Sequence, residues 1–257
     1  MALAKPYHRI WRPMKGYNFL SQNWEIIDEP QVTLDYLSSD LFAPQKELNS
    51  LVTTAHLIIR DLYELFNYVE PSDENINVYS HRLYELLLRT ATEIESNFKG
   101  ILSSNGYPIA SNMNIKNDYY KVDKASILHD YKVIFNRWKT YHEFRPFEAW
   151  NNGTYVTLPW YQAYNEVKHN RYNEFSKANL GNVINAIAGL LCVLHAQLGN
   201  EMGNACFEGL YPIPDDESKL VTGSFTIITP AFPESEQYDF IWDTIKGNSS
   251  SILSYPF

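Results

Sequence analysis

Several side chains that could act on a phosphate are grouped between Trp160 and Arg171, where the chain reads WYQAYNEVKHNR. Histidine as a residue type exchanges protons near neutral pH, so the imidazole of His169 could take a proton from a ribose hydroxyl or return one to a leaving oxygen. A phosphodiester also needs a fixed cation to stabilise developing charge, and Lys168 and Arg171 are the local candidates. Asn165 lies one helical turn before His169 and could support it.

The spacing within a helix divides these residues between different sides. Arg171 follows His169 by two positions and would lie on another side, whereas Tyr164 and Lys168 are four residues apart and would be neighbours. A structural interpretation stays open at this point. In that interpretation, Asn165 forms a hydrogen bond within a helical bundle, His169 is a core histidine, and the two cations are solvated.

A second group of charges follows three- and four-residue steps in the order Arg82, Glu85, Arg89 and Glu93. This stripe is typical of ion pairs within one helix, each of which adds a few tenths of a kcal/mol. The alternative is that Arg82 or Arg89 lies opposite His169 and supplies the cation that holds a phosphate. The sequence does not choose between these two interpretations.

Other motifs with known chemistry are missing from the sequence. There is no glycine-rich phosphate loop, no zinc-protease histidine pair and no nucleophile elbow, so we predict neither a metal site nor a cofactor. Arg137 and His142 have an Arg-x4-His spacing, but they lie in a segment with strand character. Cys192 and Cys206 match no metal or disulfide pattern, and we interpret both as structural.

Four helices are predicted from the spacing of apolar residues. The first spans Gln45–Val69, and EPSDEN separates it from a second over Ile76–Ile101, so these two should pack antiparallel. A third helix begins at Pro159, which suits a first helical turn, and continues through the motif to Phe175. The fourth runs from about Ser176 to Leu198 and has the broadest apolar face.

Three regions follow from these elements. Residues 1–44 form a basic lead-in, residues 45–200 form a helical bundle with an irregular insertion at about 103–158, and residues 201–257 form an acidic extension. The insertion contains YKVIFNRW, and the extension contains SFTIITP and YDFIW, all with strand character. The predicted fold is mainly α, with a partly β insertion and a short β or extended C-terminal element.

Composition and charge exclude several classes of function. The 257 residues are 45% hydrophobic and 20% charged, which is enough apolar material for one large core. The net charge of -9 opposes general coating of DNA, which depends on an excess of lysine and arginine. Lys5, Arg9, Arg12 and Lys15 nevertheless precede the first acid, Glu25, so a basic arm could meet nucleic acid or an acidic partner.

No segment of the sequence is suited to cross a membrane. The N-terminus lacks the apolar stretch of a signal peptide, and VINAIAGLLCVLHAQL is too short and too polar for a membrane span. We therefore expect a cytoplasmic protein without a membrane partner.

The helical region, Gln45 to Leu198, resembles the HEPN superfamily. Members of that superfamily are helical bundles with an Arg-Asn-x-x-x-His type motif on the helix that follows the first pair. Asn165 and His169 match the Asn and the His of this motif, while Tyr164 occupies the position of the Arg. The long helix VYSHRLYELLLRTATEIE is also part of the resemblance.

The resemblance implies a metal-independent ribonuclease of toxin or phage-defence type, acting on RNA or a nucleotide. It implies a homodimer as well, since family sites commonly form where two bundles meet. The catalytic residues would be His169, Asn165 and Lys168. The side chains expected to bind substrate are Arg171, Arg82, Arg89 and Tyr164. Because Tyr164 replaces the motif Arg, the alternative is a non-catalytic module for dimerisation or partner binding.

Overall fold

The computed structural model describes residues 2–15, 42–140, 142–199, 210–213, 216–222, 224–248 and 250–257. The fold is mainly α with one antiparallel sheet, as the sequence predicts. The α-helices of the described residues are α1 (Gln45–Leu65), α2 (His81–Ser104), α3 (Lys121–Ser126), α4 (Pro159–His169), α5 (Arg171–Glu174), α6 (Leu180–Leu198) and α7 (Trp242–Ile245). The strands are β1 (Lys132–Phe135), β2 (Glu143–Phe144), β3 (Leu210–Ile213), β4 (Asp216–Thr222) and β5 (Phe225–Ile228).

The first two predicted helices are confirmed, but the first ends earlier than predicted and the second begins later and continues to Ser104. Helix α1 ends at Leu65 because Phe66 and the residues after it form turn hydrogen bonds. Helix α2 begins only at His81, since the Ser80 side chain caps it by accepting a hydrogen bond from the Leu83 amide at 3.1 Å. Such a cap satisfies an amide that has no partner within the helix and so sets where the helix starts.

The helix predicted from Pro159 to Phe175 is divided in two. Helix α4 starts with Pro159 in its first turn and ends at His169, because Asn170 has φ −139° and ψ 53°. The Asn170 side chain accepts a hydrogen bond from Asn173 at 3.0 Å, a local contact that competes with helix continuation. Arg171 therefore starts a new helix, α5.

Helix α6 lies in the centre of the hydrophobic core. It packs most extensively against α2, and apart from Asn182 and Asn185 its residues are buried. The prediction that this segment is too short and too polar for a membrane span is wrong, because α6 is the one helix in the described ranges that is long and apolar enough to cross a membrane. It is nevertheless 89% buried inside the protein. This burial is typical of a core helix. The helix ends at Gly199, whose φ of +56° favours glycine and where a side chain would clash with Trp11.

The sheet joins the insertion to the C-terminal region. Its strand order is β2-β1-β5-β4-β3, and Val133 of β1 is paired with Ile227 of β5. The strands predicted in YKVIFNRW and SFTIITP are therefore confirmed. The strand predicted in YDFIW is wrong, since Trp242 begins the short helix α7 and packs into the core.

The N-terminal segment is bound into the fold. The Trp11 amide donates to the carbonyl of Ala196 at the end of α6, at 2.9 Å. Tyr238 donates through its hydroxyl to the Ile10 carbonyl at 2.7 Å. Both arginines of the predicted basic arm, Arg9 and Arg12, are buried, so neither offers its charge to a polyanion on the surface.

Arg9 is fixed by contacts to three helices. Its Nε donates to Gln197 at 2.9 Å, and its Nη1 forms an ion pair with Glu47 at 2.5 Å. Its guanidinium lies over Gly100, where any side chain would clash with it. Burial lowers the pKa of Arg9, and Glu47 opposes that shift. Arg9 therefore joins the N-terminal segment to α1, α2 and α6.

Candidate functional site

The end of α4 presents Lys168 and His169 to solvent. Lys168 Nζ donates to the Tyr164 hydroxyl at 2.9 Å and lies 4.9 Å from the centroid of that ring, which confirms the predicted four-residue pair. This hydrogen bond raises the pKa of Lys168, so the ammonium is charged at neutral pH. Because His169 is exposed, the interpretation of His169 as a core histidine is wrong.

Tyr164 is 1% exposed, so its ring belongs to the core. The ring lies 5.4 Å from that of Tyr161, whose hydroxyl donates to Glu95 of α2 at 2.6 Å. Burial is the main cause that raises the pKa of Tyr161, and the hydrogen bond to Glu95 raises it further. The hydroxyl therefore stays protonated. Tyr164 was expected to bind substrate, but its burial leaves it as the support of Lys168 at the α2–α4 contact.

Arg171 is held on two aromatic rings. Its Cζ lies 4.9 Å from the centroid of Tyr84 and 5.6 Å from that of Phe175. Its Nη2 lies 3.0 Å from His81 Nδ1. A guanidinium can only donate, so Nδ1 accepts and the proton of a neutral His81 ring is on Nε2. This contact joins α5 to the first turn of α2, which the break at Asn170 makes possible.

We use the name cationic corner for two groups that are adjacent in the chain: Lys168 and His169 at the end of α4, and Arg171 of α5 with His81, Tyr84 and Phe175. Neither Lys168 nor Arg171 has a carboxylate within 4.0 Å among the described residues, although Glu95 attracts the Lys168 ammonium and raises its pKa. Arg137 and Arg171 are the two arginines in the described parts of the chain with no carboxylate within 4.0 Å. The nearby acids Glu166 and Glu174 are both bound to Lys177, at 2.6 and 2.9 Å.

Asn165 is half-buried on α4, one turn before His169. Asn165, Lys168 and His169 lie in one helix, so Asn165 and His169 are separated by one helical turn, as their four-residue spacing predicts. No hydrogen bond of its side chain is found among the described residues, so its amide is not committed to a structural contact within them.

Arg82 and Arg89 lie in a different place, a groove of about 440 Å³ between α1 and α2. Arg89 Nη2 forms an ion pair with Asp61 of α1 at 2.6 Å, and Arg82 Nη1 forms one with Glu85 at 3.0 Å. We call this surface the α1–α2 groove; its remaining lining residues are Glu64, Leu65, Tyr68 and Leu86.

The groove and the corner use different sides of α2. Arg82 follows His81 by one position, and one residue turns a helix by about 100°. The hydrogen bonds of Arg82 and Arg89 within the described chain go to Glu85, Asp61 and the Leu57 carbonyl instead of to His169 or Asn165. The predicted ladder is thus confirmed for Arg82 with Glu85, whereas Arg89 is paired with another helix.

The second Arg-x4-His match is remote from α4. Arg137 lies 4.5 Å from the centroid of Tyr63 on α1, and His142 Nδ1 lies 3.7 Å from Asp73. Both residues are in the connection between β1 and β2, and they take no part in the corner.

Sequence reasoning missed His81, Tyr84 and Phe175. His81 and Tyr84 are three residues apart in the first turn of a helix, a spacing that places them on one side, but nothing in it names Arg171 as their partner. Within the described ranges there is no group of three potential metal ligands. Cys192 is buried, which raises its pKa, and Cys206 lies outside the described residues.

The chain matches no known family model, no curated protein and no solved structure.

Proposed function

We propose that this chain is a HEPN-like protein that engages RNA or a nucleotide at the cationic corner. The observation that carries the proposal is the state of Arg171, an exposed residue with no carboxylate partner among the described residues, two positions after the exposed His169 in the chain. In this proposal Arg171 and Lys168 hold phosphate groups, and His169 carries the proton.

The environment of Arg171 supports a role in phosphate binding. Its guanidinium is already oriented by Tyr84 and Phe175, so little rotational freedom is lost when a ligand binds. One of its five N–H donors points to His81, and the others can form paired bonds to two phosphate oxygens. Lys168 adds a charge without that directional fork.

The chemistry that fits these groups is metal-independent cleavage of RNA. His169 takes the proton of the ribose 2′-hydroxyl, and the 2′ oxygen attacks the phosphorus. The bond from phosphorus to the 5′ oxygen breaks, and that oxygen takes a proton from solvent or from the protonated histidine. Arg171 stabilises the charge that develops on the phosphate. Asn165 would support His169 from the preceding turn.

A second candidate is a HEPN-like module that binds a partner or a second copy without catalysis. The observation that favours it is Tyr164, which stands where the family motif has its Arg and is buried instead of facing a substrate. A homodimer that brings two α4 helices together is compatible with both candidates. Light scattering at micromolar concentration should give the mass of a dimer, and a monomer would contradict this part.

The decisive experiment combines binding and cleavage of single-stranded RNA of about 12 nucleotides, with and without a chelator. Cleavage that resists the chelator and disappears in His169→Ala supports the ribonuclease. His56→Ala is the matched control, since His56 is an exposed histidine on α1 and should leave cleavage unchanged. Binding without cleavage by the wild type would support the non-catalytic candidate, and the absence of both would overturn the proposal.

A further inference from the structure

The chain contains two Asn-Gly dipeptides, Asn105–Gly106 after α2 and Asn152–Gly153 before α4. This dipeptide is chemically labile, because glycine has no side chain to hinder attack by its backbone nitrogen on the preceding asparagine side chain. The two glycines have similar surroundings. The φ angle is +78° at Gly106 and +69° at Gly153, and a Cβ added at either one would meet no other group within 4 Å.

The backbone nitrogens of the two glycines are held in the same way. The Gly106 amide donates to the Ser103 carbonyl at 3.0 Å, and the Gly153 amide donates to the Trp150 carbonyl at 3.2 Å. Each of these turn hydrogen bonds must open before the glycine nitrogen can react. Because both sites share this requirement, it does not distinguish them.

The asparagine side chains, in contrast, have different environments. Asn105 is 6% exposed, and its Nδ2 donates to the carbonyls of His8 and Ile101, at 2.7 and 2.8 Å. Its Oδ1 accepts a hydrogen bond from the Tyr255 amide at 2.8 Å. Asn152 is exposed, and its side chain forms no hydrogen bond with the described residues. The fold therefore fixes the Asn105 amide between the two ends of the chain and leaves the Asn152 amide unrestrained.

We propose that Asn152 is a site of spontaneous deamidation in the folded protein, and that three hydrogen bonds protect Asn105 from the same reaction. The Gly153 nitrogen gives its proton to water and attacks Cγ of Asn152. The new N–Cγ bond closes an imide ring, the Cγ–Nδ2 bond breaks, and Nδ2 takes a proton from water and leaves as ammonia. One water molecule then opens the imide. Cleavage of the new N–Cγ bond gives aspartate, whereas cleavage of the original peptide bond gives isoaspartate.

The consequences of deamidation differ between the two sites. At Asn152, either product adds a carboxylate to an exposed turn, and the buried Trp150 keeps its own hydrogen bond from Nε1 to the Val156 carbonyl at 2.9 Å. At Asn105, the reaction would remove the amide donor and place a carboxylate against the carbonyls of His8 and Ile101. A buried carbonyl without its donor destabilises a fold, so protection of Asn105 preserves the contact between the chain ends and α2.

The test incubates the purified full-length protein at mildly alkaline pH and locates the products by peptide mapping with tandem mass spectrometry. Aspartate and isoaspartate should accumulate at Asn152, and faster as pH rises, because the Gly153 nitrogen must lose its proton. Asn105 should react about 100-fold more slowly, since three ordinary hydrogen bonds must open first. Asn151 is the matched control, because it is exposed but is followed by Asn152 instead of glycine; it should stay intact. In concentrated urea, Asn105 and Asn152 should react at similar rates.

Three outcomes would overturn the inference. Equal rates at Asn105 and Asn152 in the folded protein would show that the hydrogen bonds of Asn105 give no protection. An unreactive Asn152 in the protein, together with reaction of a synthetic peptide spanning 147–156, would show that the turn protects this site as well. A difference between the two sites that persists in urea would show that the neighbouring sequence, and not the fold, sets the rates.

Discussion

The cationic corner and the α1–α2 groove contain similar residues, and they differ in how the cations are paired. Both include an arginine close to the first turns of α2 and an exposed tyrosine nearby. In the groove, Asp61 and Glu85 neutralise Arg89 and Arg82. In the corner, Arg171 contacts two aromatic rings and a histidine nitrogen, and no carboxylate of the described residues lies within 4.0 Å of it.

The number of arginines on a surface therefore does not locate an anion site. A phosphate that approaches the groove must compete with carboxylates and is repelled by them, whereas at the corner it meets an oriented donor without a competitor. Arg137 also has no carboxylate within 4.0 Å among the described residues. It is not part of the corner, however, because it lies over Tyr63 of α1 and away from α4. The substrate-binding roles of Arg82 and Arg89 remain predictions that the acids of the groove oppose.

The largest effect is expected from removal of Arg171. Arg171→Ala should weaken RNA binding by about 10- to 100-fold, the range for loss of a charged hydrogen bond. The slope of log affinity against log salt should fall by about 0.7 for each phosphate of a single strand that the variant no longer neutralises. Arg137→Ala is the control, since it removes another arginine that is stacked on a ring and free of acids. Equal losses of affinity in both variants would mean that only net charge matters.

RNA should bind more tightly when the two carboxylates that pair with the arginines of the groove are neutralised. The double substitution Asp61→Asn and Glu85→Gln leaves Arg89 and Arg82 without their partners, so RNA affinity should rise by about two- to fivefold. Titration of labelled RNA at low salt measures the change. If affinity stays at the wild-type value, pairing with acids is not what separates the groove from the corner.

A smaller effect is expected when Lys168 loses its hydrogen bond. Tyr164→Phe removes the hydroxyl that Lys168 contacts, and stability should fall by about 0.5 kcal/mol because the ammonium is exposed. The folded pKa of Lys168 is raised by this bond, so its contribution is present at neutral pH and is lost as pH rises through that pKa. Denaturant unfolding at pH 7 and above pH 11 tests this, and a difference that persists at high pH would contradict it.

The smallest effect is expected for Arg89→Lys in the groove. Its ion pair with Asp61 is between side chains that are 39% and 40% exposed, so stability should change by only a few tenths of a kcal/mol. RNA binding should remain at the wild-type level. Thermal melts and anisotropy measured on the same preparation check both values. Loss of binding would make the groove a second RNA site, and a loss of about 3 kcal/mol or more would show a buried structural pair.

The helix predictions were correct where local features of the sequence determine the structure. The apolar period from Gln45 and the proline at position 159 each act within a few residues, so they predict α1 and the start of α4 without knowledge of the remaining chain. The helix ends were less predictable, because Ser80 and Asn170 decide them through single hydrogen bonds or a single backbone conformation. The predicted contact between Tyr164 and Lys168 was also correct, because it depends only on their four-residue spacing in one helix.

The contacts between the three predicted regions could not be predicted from the sequence, because they join residues that are far apart in the chain. The lead-in looked like a free basic arm, yet Arg9 is buried against Gln197 of α6. The insertion and the C-terminal extension looked like separate additions, yet β1 and β5 are neighbours in one sheet. Backbone groups of an isolated strand need a partner, and the sequence does not say which strand supplies it.

The helical class and the approximate positions of the long helices follow from the sequence alone, and so do the residue types on which the proposed chemistry of His169 rests, since hydrophobic period and residue type are local properties. Only the tertiary structure decided which charges are cancelled. Arg171 reaches His81, 90 positions earlier in the chain, while Arg89 reaches Asp61 on α1. The charge available to a ligand depends on such distant partners, because a carboxylate within a few ångströms outweighs any feature of the residue's own segment.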